Sequence, residues 1–317
     1  MLRVDQIDKN ILIELEGNCR LTYQSIADKI GLSRSAVKRR VDTLLELGVI
    51  EEFIIELSKN MVGYNWLCAD IFTTGSEDTE KFSQALSKHP MVFITTWLGS
   101  GRYLNYCHVD SQYSSYELGK FIRKRRYVTK VHLNPMIPVT NKILSPDSQF
   151  QGTSEKTEFT NGQLRVLKSL IKDARKPISS IAEETKMSSK RVKALLDEIH
   201  SLNAIHFTIH FNFSAGGNIN FVLKLVFDEK KAEPTNIVEW IQTHHSYEYW
   251  NSFLYVQEPI LMNFFSCSHL RDVRRITQSI EKTQYAITAE PLVIYPTKMS
   301  KGLGRLRIEE LLSKVKL

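Results

Sequence analysis

SIADKIGLSRSAVKRRVDTLLELGVI, the stretch from Ser25 to Ile50, returns as SIAEETKMSSKRVKALLDEIHSLNAI from Ser180 to Ile205. A constant shift of 155 positions relates the two, within a repeated pattern of some 45 residues that needs no gap. A constant shift preserves helix lengths and turns, so it indicates duplication of one folded unit. The identical pairs include Ile26 and Ile181, Ser33 and Ser188, Val37 and Val192, Lys38 and Lys193, and Asp42 and Asp197.

Three short amphipathic helices are predicted in each copy. In the first copy, Asp5 is placed to cap the first helix, and Thr22 caps a second helix that ends at Gly31. Ser33 then caps a third helix, which runs to Gly48. The apolar stripes at helical spacing are Ile7, Ile11 and Leu15, then Val37, Val41, Leu44 and Leu45. Two helices joined by so short a turn predict a helix-turn-helix, and the strand-like residues 53–57 add a wing.

The outward face of the third helix is predicted to be basic. If Val37, Val41 and Leu44 point inward, the residues between them point outward. The second helix of such a motif enters the major groove, where Arg and Lys contact guanine. The predicted DNA-binding residues of the first copy are Ser33, Arg34, Ser35, Lys38, Arg39 and Arg40.

The second copy keeps this layout but changes its chemistry. Thr160 and Gln163 predict a capping box, and Ser188 caps the third helix. The predicted DNA-binding residues are Ser188, Ser189, Lys190, Arg191 and Lys193. Ala194 and Leu195 replace Arg39 and Arg40, so we expect the second copy to be the weaker or differently specific reader. Asn203 replaces Gly48 and also tolerates a left-handed cap.

An alternation of strand and helix follows each helix-turn-helix. Its order is βαββαβ, the ferredoxin-like arrangement, so the predicted fold class is α+β with both modules repeated twice. One face of such a sheet carries helices and the other needs a partner, which we expect to be the second sheet. The predicted elements are 66–72, 79–88, 92–98, 103–109, 113–123 and 128–135, then 221–227, 236–243, 249–256, 260–266, 270–280 and 286–294.

The chain resembles the leucine-responsive regulatory protein and asparagine regulator (Lrp/AsnC) family. The resemblance rests on Asp5-Gln6-Ile7-Asp8-Lys9-Asn10-Ile11-Leu12, on Arg20-Leu21-Thr22, and on motifs between Gly31 and Ile50. It is close in the first half and loose in the second, and it implies two family members fused in one chain. In this family the winged helix-turn-helix binds double-stranded DNA. The βαββαβ domain, called RAM-type, dimerises sheet against sheet and often senses an amino acid.

The resemblance also points to an effector loop between the two central strands, where the family has Gly-x-Tyr-Asp. The matching residues are Gly99, Gly101, Arg102 and Tyr103, with leucine in place of the aspartate. Backbone amides exposed by glycine suit a carboxylate. The second copy has Val256-Gln257-Glu258-Pro259 there, without glycine, so at most one pocket per chain is expected. A simple hairpin turn is the alternative.

Composition is compatible with these expectations. The 317 residues carry a net charge of +7 with a pI near 9.1, which suits a polyanionic partner without requiring one. The segment from Lys298 to Leu317 contributes +4 of that charge, and its amphipathic pattern favours a packing element over a DNA arm. Four scattered cysteines predict reduced thiols, and no secretory or bilayer-spanning pattern is visible, so a cytoplasmic protein is expected. The family resemblance implies that it is prokaryotic.

The expected domains are a winged helix-turn-helix at 1–60, a βαββαβ domain at 61–144 and a linker at 145–158. A second pair follows at 159–213 and 214–297, with a basic extension at 298–317. Further association of two chains into a homo-oligomer is expected from the family.

Enzymatic readings are less favoured. No metal site, cofactor motif or nucleophile motif is found, and His206 and His210 are expected to lie opposite a buried strand face. Siroheme decarboxylases share the predicted architecture and resemble one another in a His-Asn-Tyr-x-Arg segment. The corresponding places here, 93–97 and 249–253, lack the histidine. A sensing module without DNA binding is the remaining alternative.

Overall fold

The computed structural model describes residues 4–139, 158–295 and 298–316, so most of the expected linker at 145–158 lies outside the described residues. The chain divides into two compact units. The helix-turn-helix unit holds the described parts of Asp5–Tyr64, Ile143–Asn212 and Leu303–Leu317. The sheet unit holds those of Met1–Val4, Asn65–Lys142 and Phe213–Gly302. None of the described helices is long and apolar enough to cross a lipid bilayer.

The helix-turn-helix unit contains both copies of the repeat. The first copy consists of α1 (Gln6–Gly17), α2 (Tyr23–Ile30), α3 (Arg34–Glu46), β1 (Ile50–Leu57) and the short α4 (Lys59–Val62). The second consists of α7 (Asn161–Leu170), α8 (Ile178–Thr185), α9 (Ser189–Ser201) and β6 (Ile205–Phe211). The C-terminal α12 (Leu303–Ser313) belongs to the same unit.

Local capping chemistry sets the helix ends as predicted. The Ser33 side chain accepts a hydrogen bond from the amide of Ala36, and Ser188 accepts the equivalent bond from Arg191, both at 3.2 Å. Gly48 ends the first recognition helix with φ +70°. Asn203, its counterpart in the second copy, takes φ +49°, so the predicted left-handed cap is confirmed.

The wings of the two copies join into one antiparallel ribbon. β1 pairs with β6 along almost its whole length, with Phe53 opposite Ile209 and Leu57 opposite Ile205. The wing strand starts at Ile50, three residues earlier than predicted, since Ile50 itself pairs with Phe211. Pairing between copies removes an exposed edge from each wing and fixes the two helix-turn-helix motifs within one unit.

The sheet unit contains two βαββαβ halves. The first is β2 (Asn65–Thr73), α5 (Thr79–Leu86), β3 (Val92–Gly99), β4 (Arg102–Val109), α6 (Gln112–Arg123) and β5 (Val128–Val139). The second is β7 (Ile219–Phe227), α10 (Pro234–His244), β8 (Tyr249–Tyr255), β9 (Ile260–Cys267), α11 (Leu270–Glu281) and β10 (Ala286–Ile294). With the two-residue β11 (Lys298–Met299), the described strands run in the order β10-β7-β9-β8-β5-β2-β4-β3-β11.

Three apolar clusters hold the sheet unit together. One lies between sheet and helices in each half, around Tyr103 in the first and Phe265 in the second. The third draws on the other sheet face of both halves and includes Leu104, Tyr106 and Met262. The two halves of the sheet therefore bury their helix-free faces against each other, as predicted.

The halves are also joined edge to edge, which was not predicted. β5 continues four residues beyond its predicted end at Pro135, and Met136 to Val139 pair with β8. Proline lacks an amide hydrogen, so it is uncommon within a paired strand. The strand tolerates both Pro135 and Pro138, and the carbonyl of Pro135 accepts a hydrogen bond from Val256 at 2.9 Å.

The C-terminal helix packs against both copies of the repeat, as its amphipathic pattern favoured. Arg305 is 7% exposed and donates to the carbonyls of Ile55 at 3.2 Å and Ile171 at 2.5 Å. Lys168 of α7 donates to the carbonyls of Leu312 and Val315 near the end of α12. This helix therefore links the two copies of the repeat through hydrogen bonds to both.

Candidate nucleic-acid interface

The first recognition helix presents a basic face. Val37, Val41 and Leu44 are buried, which leaves the opposite side of α3 in solvent. The exposed residues there are Ser33, Arg34, Ser35, Lys38 and Arg39, five of the six predicted. Because the buried stripe fixes the rotation of the helix, the exposed face follows directly from the sequence pattern.

The second recognition helix has the same orientation of residues. Val192, Leu195, Leu196 and Ile199 are buried in α9. All the predicted residues of this copy are exposed: Ser188, Ser189, Lys190, Arg191 and Lys193. Both copies thus present a serine-capped helix whose first turns are basic.

Not every cation on these faces is equally available to a ligand. Lys38 forms an ion pair with Asp42 at 2.6 Å, and the hydrogen bond to that carboxylate raises the pKa of Lys38. Arg191 lies 3.5 Å from Glu198. Within the described part of the chain, Arg34, Arg39, Lys190 and Lys193 form no ion pair. These four side chains carry positive charge that the described residues leave uncompensated.

Arg40 does not have the exposed surroundings expected of a residue that contacts DNA. Its guanidinium binds Asp5 at 2.9 Å and Asp8 at 2.7 Å, so it ties α3 to the start of α1. The second copy replaces this set as a whole, with Thr160, Gln163 and Leu195 at the equivalent positions. Leu195 is fully buried there. The exchange of Arg40 for leucine is therefore a change of helix packing as well as of surface charge.

Two arginines that the sequence analysis did not single out connect the copies. Arg20 donates to the carbonyl of Ala174 at 2.5 Å, and Arg175 donates to the carbonyl of Cys19 at 2.7 Å. Positions 20 and 175 differ by 155, as do 19 and 174. Each copy thus makes the same bond to the other, which is the pattern of an isologous interface. The constant shift could have identified this pair, since Arg20 lies in a motif already quoted.

The predicted effector loop forms the hairpin between β3 and β4. Gly99, Ser100 and Gly101 have φ values of +86°, +48° and +71°. The carbonyl of Gly101 accepts a hydrogen bond from the amide of Thr73 at 2.7 Å, and a Cβ on Gly101 would lie 2.8 Å from the Thr73 hydroxyl. Glycine is needed here for both conformation and close approach.

The side chains beside this loop already have partners. Arg102 binds Asp70 through two hydrogen bonds of 3.0 and 2.8 Å and reaches Glu290 at 3.1 Å. Tyr103 is fully buried, and its hydroxyl donates to Glu77 at 2.9 Å. Backbone amides are the groups of this loop best placed for a carboxylate, and effector binding here stays a prediction.

The histidines and cysteines have structural surroundings. His206 and His210 lie within 3.5 Å of Glu56 and Glu51 across the wing ribbon, on the side away from Phe207 and Ile209. The described residues contain no group of three or more side chains that could hold a metal ion. All four cysteines are free and buried, and burial raises the pKa of Cys19 and Cys68 to about 12.

Comparison with known proteins places the helix-turn-helix in a family. A family profile described as winged helix-turn-helix DNA-binding matches residues 4–51. An uncharacterised HTH-type transcriptional regulator of Pyrococcus furiosus is 33% identical over 109 residues, which are 73% of that protein and 34% of this chain. The HTH-type transcriptional regulator LrpA of Pyrococcus horikoshii is 31% identical over 101 residues, 71% of its length and 32% of this chain. The chain belongs to the Lrp/AsnC family.

The tandem arrangement of this Lrp/AsnC chain also has a counterpart among solved structures. The siroheme decarboxylase NirDL matches 98% of the chain and 99% of its own length, with a TM-score of 0.57 and 11% identity. At that identity the match shows a shared fold and nothing about activity. The family profile bears out the winged helix-turn-helix, and the full-length structural match bears out the predicted α+β fold.

Proposed function

We propose that this Lrp/AsnC protein is a sequence-specific DNA-binding transcriptional regulator that reads its site with α3 and α9. The observation that carries the proposal is the pair of exposed, serine-capped basic helices, each the second member of a helix-turn-helix. Recognition helices of this kind place their N-terminal residues against base edges in the major groove. The family membership points to the same function.

The roles differ between the copies. Arg34 and Arg39 lie on the exposed face of α3 without an ion pair to any described residue, so they are assigned to base or phosphate contacts. Lys38 contributes charge that Asp42 partly offsets. On α9, the DNA contacts are assigned to Lys190, Arg191 and Lys193. Lysine suits phosphate contacts better than bidentate base contacts. Arg40 braces α3 instead of reading DNA.

One chain carries both readers within a single unit, so one chain is proposed to engage two half-sites. The two recognition helices are coupled by the β1–β6 ribbon and by the reciprocal hydrogen bonds of Arg20 and Arg175. Further self-association of chains, a cytoplasmic location and the domain boundaries given above remain part of the proposal. So does an amino-acid-like effector at Gly99, Gly101, Arg102 and Tyr103.

The proposal is tested by selecting bound sequences from a random DNA pool with the purified chain. Binding to an enriched motif should weaken steeply with salt, because each neutralised phosphate releases counterions. The matched control is a variant with Arg34, Arg39, Lys190 and Lys193 all replaced by glutamine, which should fold and enrich nothing. Equal enrichment by this variant would remove these helices from the interface.

A second candidate is enzymatic, and the full-length match to a siroheme decarboxylase is the observation that favours it. The chain would then act on a tetrapyrrole and would not need basic recognition helices. Titration with siroheme distinguishes the two readings. A saturable change in tetrapyrrole absorbance, followed by loss of carboxylate as carbon dioxide, would support the enzyme and would leave the DNA selection without a motif.

A further inference from the structure

Two polar side chains are enclosed in the helix-side core of the first half. Asn105 on β4 is 0% exposed, Thr95 on β3 is 1% exposed, and they face each other across the two strands. Among the residues that the structure describes, neither the amide of Asn105 nor the hydroxyl of Thr95 has a hydrogen-bond partner. Burying such groups without a partner costs free energy, so an unpaired pair in one core needs an explanation.

The second half contains the same pair in the same register. Ser252 faces Asn263 as Thr95 faces Asn105, and a register shift lies just before each of the two hydroxyl residues, between Val92 and Ile94 in β3 and between Tyr249 and Asn251 in β8. In the second half every group is satisfied. Ser252 donates to the Asn263 carbonyl oxygen at 2.6 Å, and the Asn263 nitrogen donates to the carbonyl of Leu223 at 3.1 Å.

A tyrosine completes this network in the second half. The hydroxyl of Tyr249 lies 2.8 Å from the Ser252 hydroxyl, so phenol, serine and asparagine form one buried chain of hydrogen bonds. The strand register puts Val92 of the first half at the position of Tyr249. The first half keeps the asparagine and the hydroxyl and lacks the phenol that would join them.

Other residues around Asn105 are also smaller than their counterparts. Cys107 takes the place of Phe265, and Ala69 takes the place of Leu223. The larger residues of the first half, Trp97 and Tyr103, pair with each other on the other side of Asn105 along the strands. The reduction in side-chain size is therefore concentrated on the side where the second half holds its phenol.

We propose that the first half binds a small neutral molecule bearing a hydroxyl group, about the size of phenol, beside Asn105 and Thr95. A hydroxyl both donates and accepts, so one such group can serve the asparagine oxygen and the threonine hydroxyl together. The surrounding core contains Val92, Leu118 and Ile122, which disfavours a charged ligand. The site is thereby distinct from the hairpin at Gly99, and it stands whether or not the chain binds DNA.

A ligand can reach such a site although it is closed. Apolar sites in protein cores bind benzene without a permanent channel, since local opening admits the ligand. The ligand would add its ring to the core and its hydroxyl to the polar pair. Its binding would therefore stabilise the folded chain by mass action.

Phenol is the probe, and toluene is its matched analogue without the hydroxyl. Calorimetric titration and thermal unfolding of the full chain should show saturable binding of one phenol, with toluene about five- to ten-fold weaker, as loss of one hydrogen bond implies. In Val92→Tyr, the new side chain supplies the phenol itself. This variant should unfold at a higher temperature than the wild type and should no longer respond to phenol.

Two further variants keep the test decisive if Val92→Tyr does not fold. Asn105→Leu removes the polar partner, so it should bind phenol and toluene equally and unfold at a higher temperature. Tyr249→Val removes the phenol that joins the polar pair in the second half, so it should give that half a phenol site and raise the phenol stoichiometry from one to two. Phenol that binds wild type and Asn105→Leu with the same preference over toluene would overturn the proposal. So would a wild type that ignores phenol and holds only an ordered water between Asn105 and Thr95.

Discussion

Arg39 and Arg40 are neighbours in the chain with opposite surroundings. Arg39 is exposed on α3, whereas Arg40 is half-buried between Asp5 and Asp8. A helix turns by about 100° per residue, so consecutive side chains face different partners. Charge alone therefore does not identify a DNA-reading residue, and rotation about the helix axis decides between the two roles.

Replacing Arg39 by alanine should weaken DNA binding by about 1–3 kcal/mol if the side chain contacts a base. The unfolding midpoint in urea should not change, because Arg39 has no ion pair with a described residue. The measurement is a titration of the selected DNA at two salt concentrations. An unchanged affinity together with an unchanged salt slope would show that Arg39 does not touch DNA.

Replacing Arg40 by alanine should instead lower the free energy of unfolding by about 1–2 kcal/mol, a modest value because Asp5 is partly exposed to water. Urea unfolding checks this. The control copies the second repeat, with Asp5→Thr, Asp8→Gln and Arg40→Leu combined, and it should recover most of the lost stability. If the triple variant is less stable than the single one, the two copies do not use interchangeable packing.

The buried imidazole of His245 should make the stability of the chain depend on pH. It is 4% exposed, and neither ring nitrogen has a hydrogen-bond partner among the described residues. Burial lowers its pKa below the usual 6.5. The unfolded chain therefore takes up a proton before the folded chain does, so stability is full above that value and falls as the pH drops below it.

Urea midpoints measured between pH 7.5 and 5 should show this loss, and His245→Gln should flatten the slope. His89 also has a pKa lowered by burial and by the charge of Arg125, so His89→Gln is the natural companion variant. A slope that neither substitution changes would assign the pH dependence to other groups.

At the scale of elements, the sequence predicted that α12 packs against the protein but did not predict where. Its amphipathic pattern indicated packing, but no pattern could name its partner. In the structure, the backbone of α12 packs closely against the end of β1, because a Cβ on Gly304 would lie 2.6 Å from the carbonyl oxygen of Leu57. Arg305 then supplies donors to carbonyls of both copies. Such contacts between distant segments depend on the tertiary arrangement.

Gly304→Ala should therefore displace α12 and destabilise the helix-turn-helix unit by about 1–3 kcal/mol. Proteolysis should cut sooner near residue 303, and amide exchange should rise in α12. Gly302→Ala is not a suitable control, since its Cβ would meet His108 at 3.0 Å. Lys314→Ala, at an exposed position after the helix, should leave both measurements unchanged.

The strands show the same division between local and distant causes. Apolar alternation predicted each strand of the two halves, with ends within two residues in most cases. The exception is β5, whose last residues are held by β8 of the other half. Local propensity argued against a strand at Pro138, and pairing with Phe253 outweighed it.

At the scale of the whole chain, duplication followed by divergence makes the two readers unequal. The first copy has Arg34 and Arg39 without ion pairs to described residues, and the second has Lys190 and Lys193. Arginine can contact guanine through two hydrogen bonds, which lysine's single ammonium group does less specifically. The preferred site should therefore be asymmetric.

Footprinting on the selected DNA should show two half-sites, about one helical turn or a multiple apart, with the stronger one protected by the first copy. The pair of substitutions Arg34→Ala and Arg39→Ala should cost more affinity than Lys190→Ala and Lys193→Ala. Equal losses, or a perfectly palindromic footprint, would refute the ranking of the two copies.

The sequence by itself determined the repeat, the helix caps and the rotation of each recognition helix, because these depend on residues within a few positions of one another. Only the tertiary structure decided that the wings pair across copies, that Arg20 and Arg175 exchange bonds, and that Asn263 is satisfied while Asn105 is not. Those outcomes join residues more than a hundred positions apart or compare cores whose neighbours differ. Their free energy comes from packing and partner choice, which local patterns do not encode.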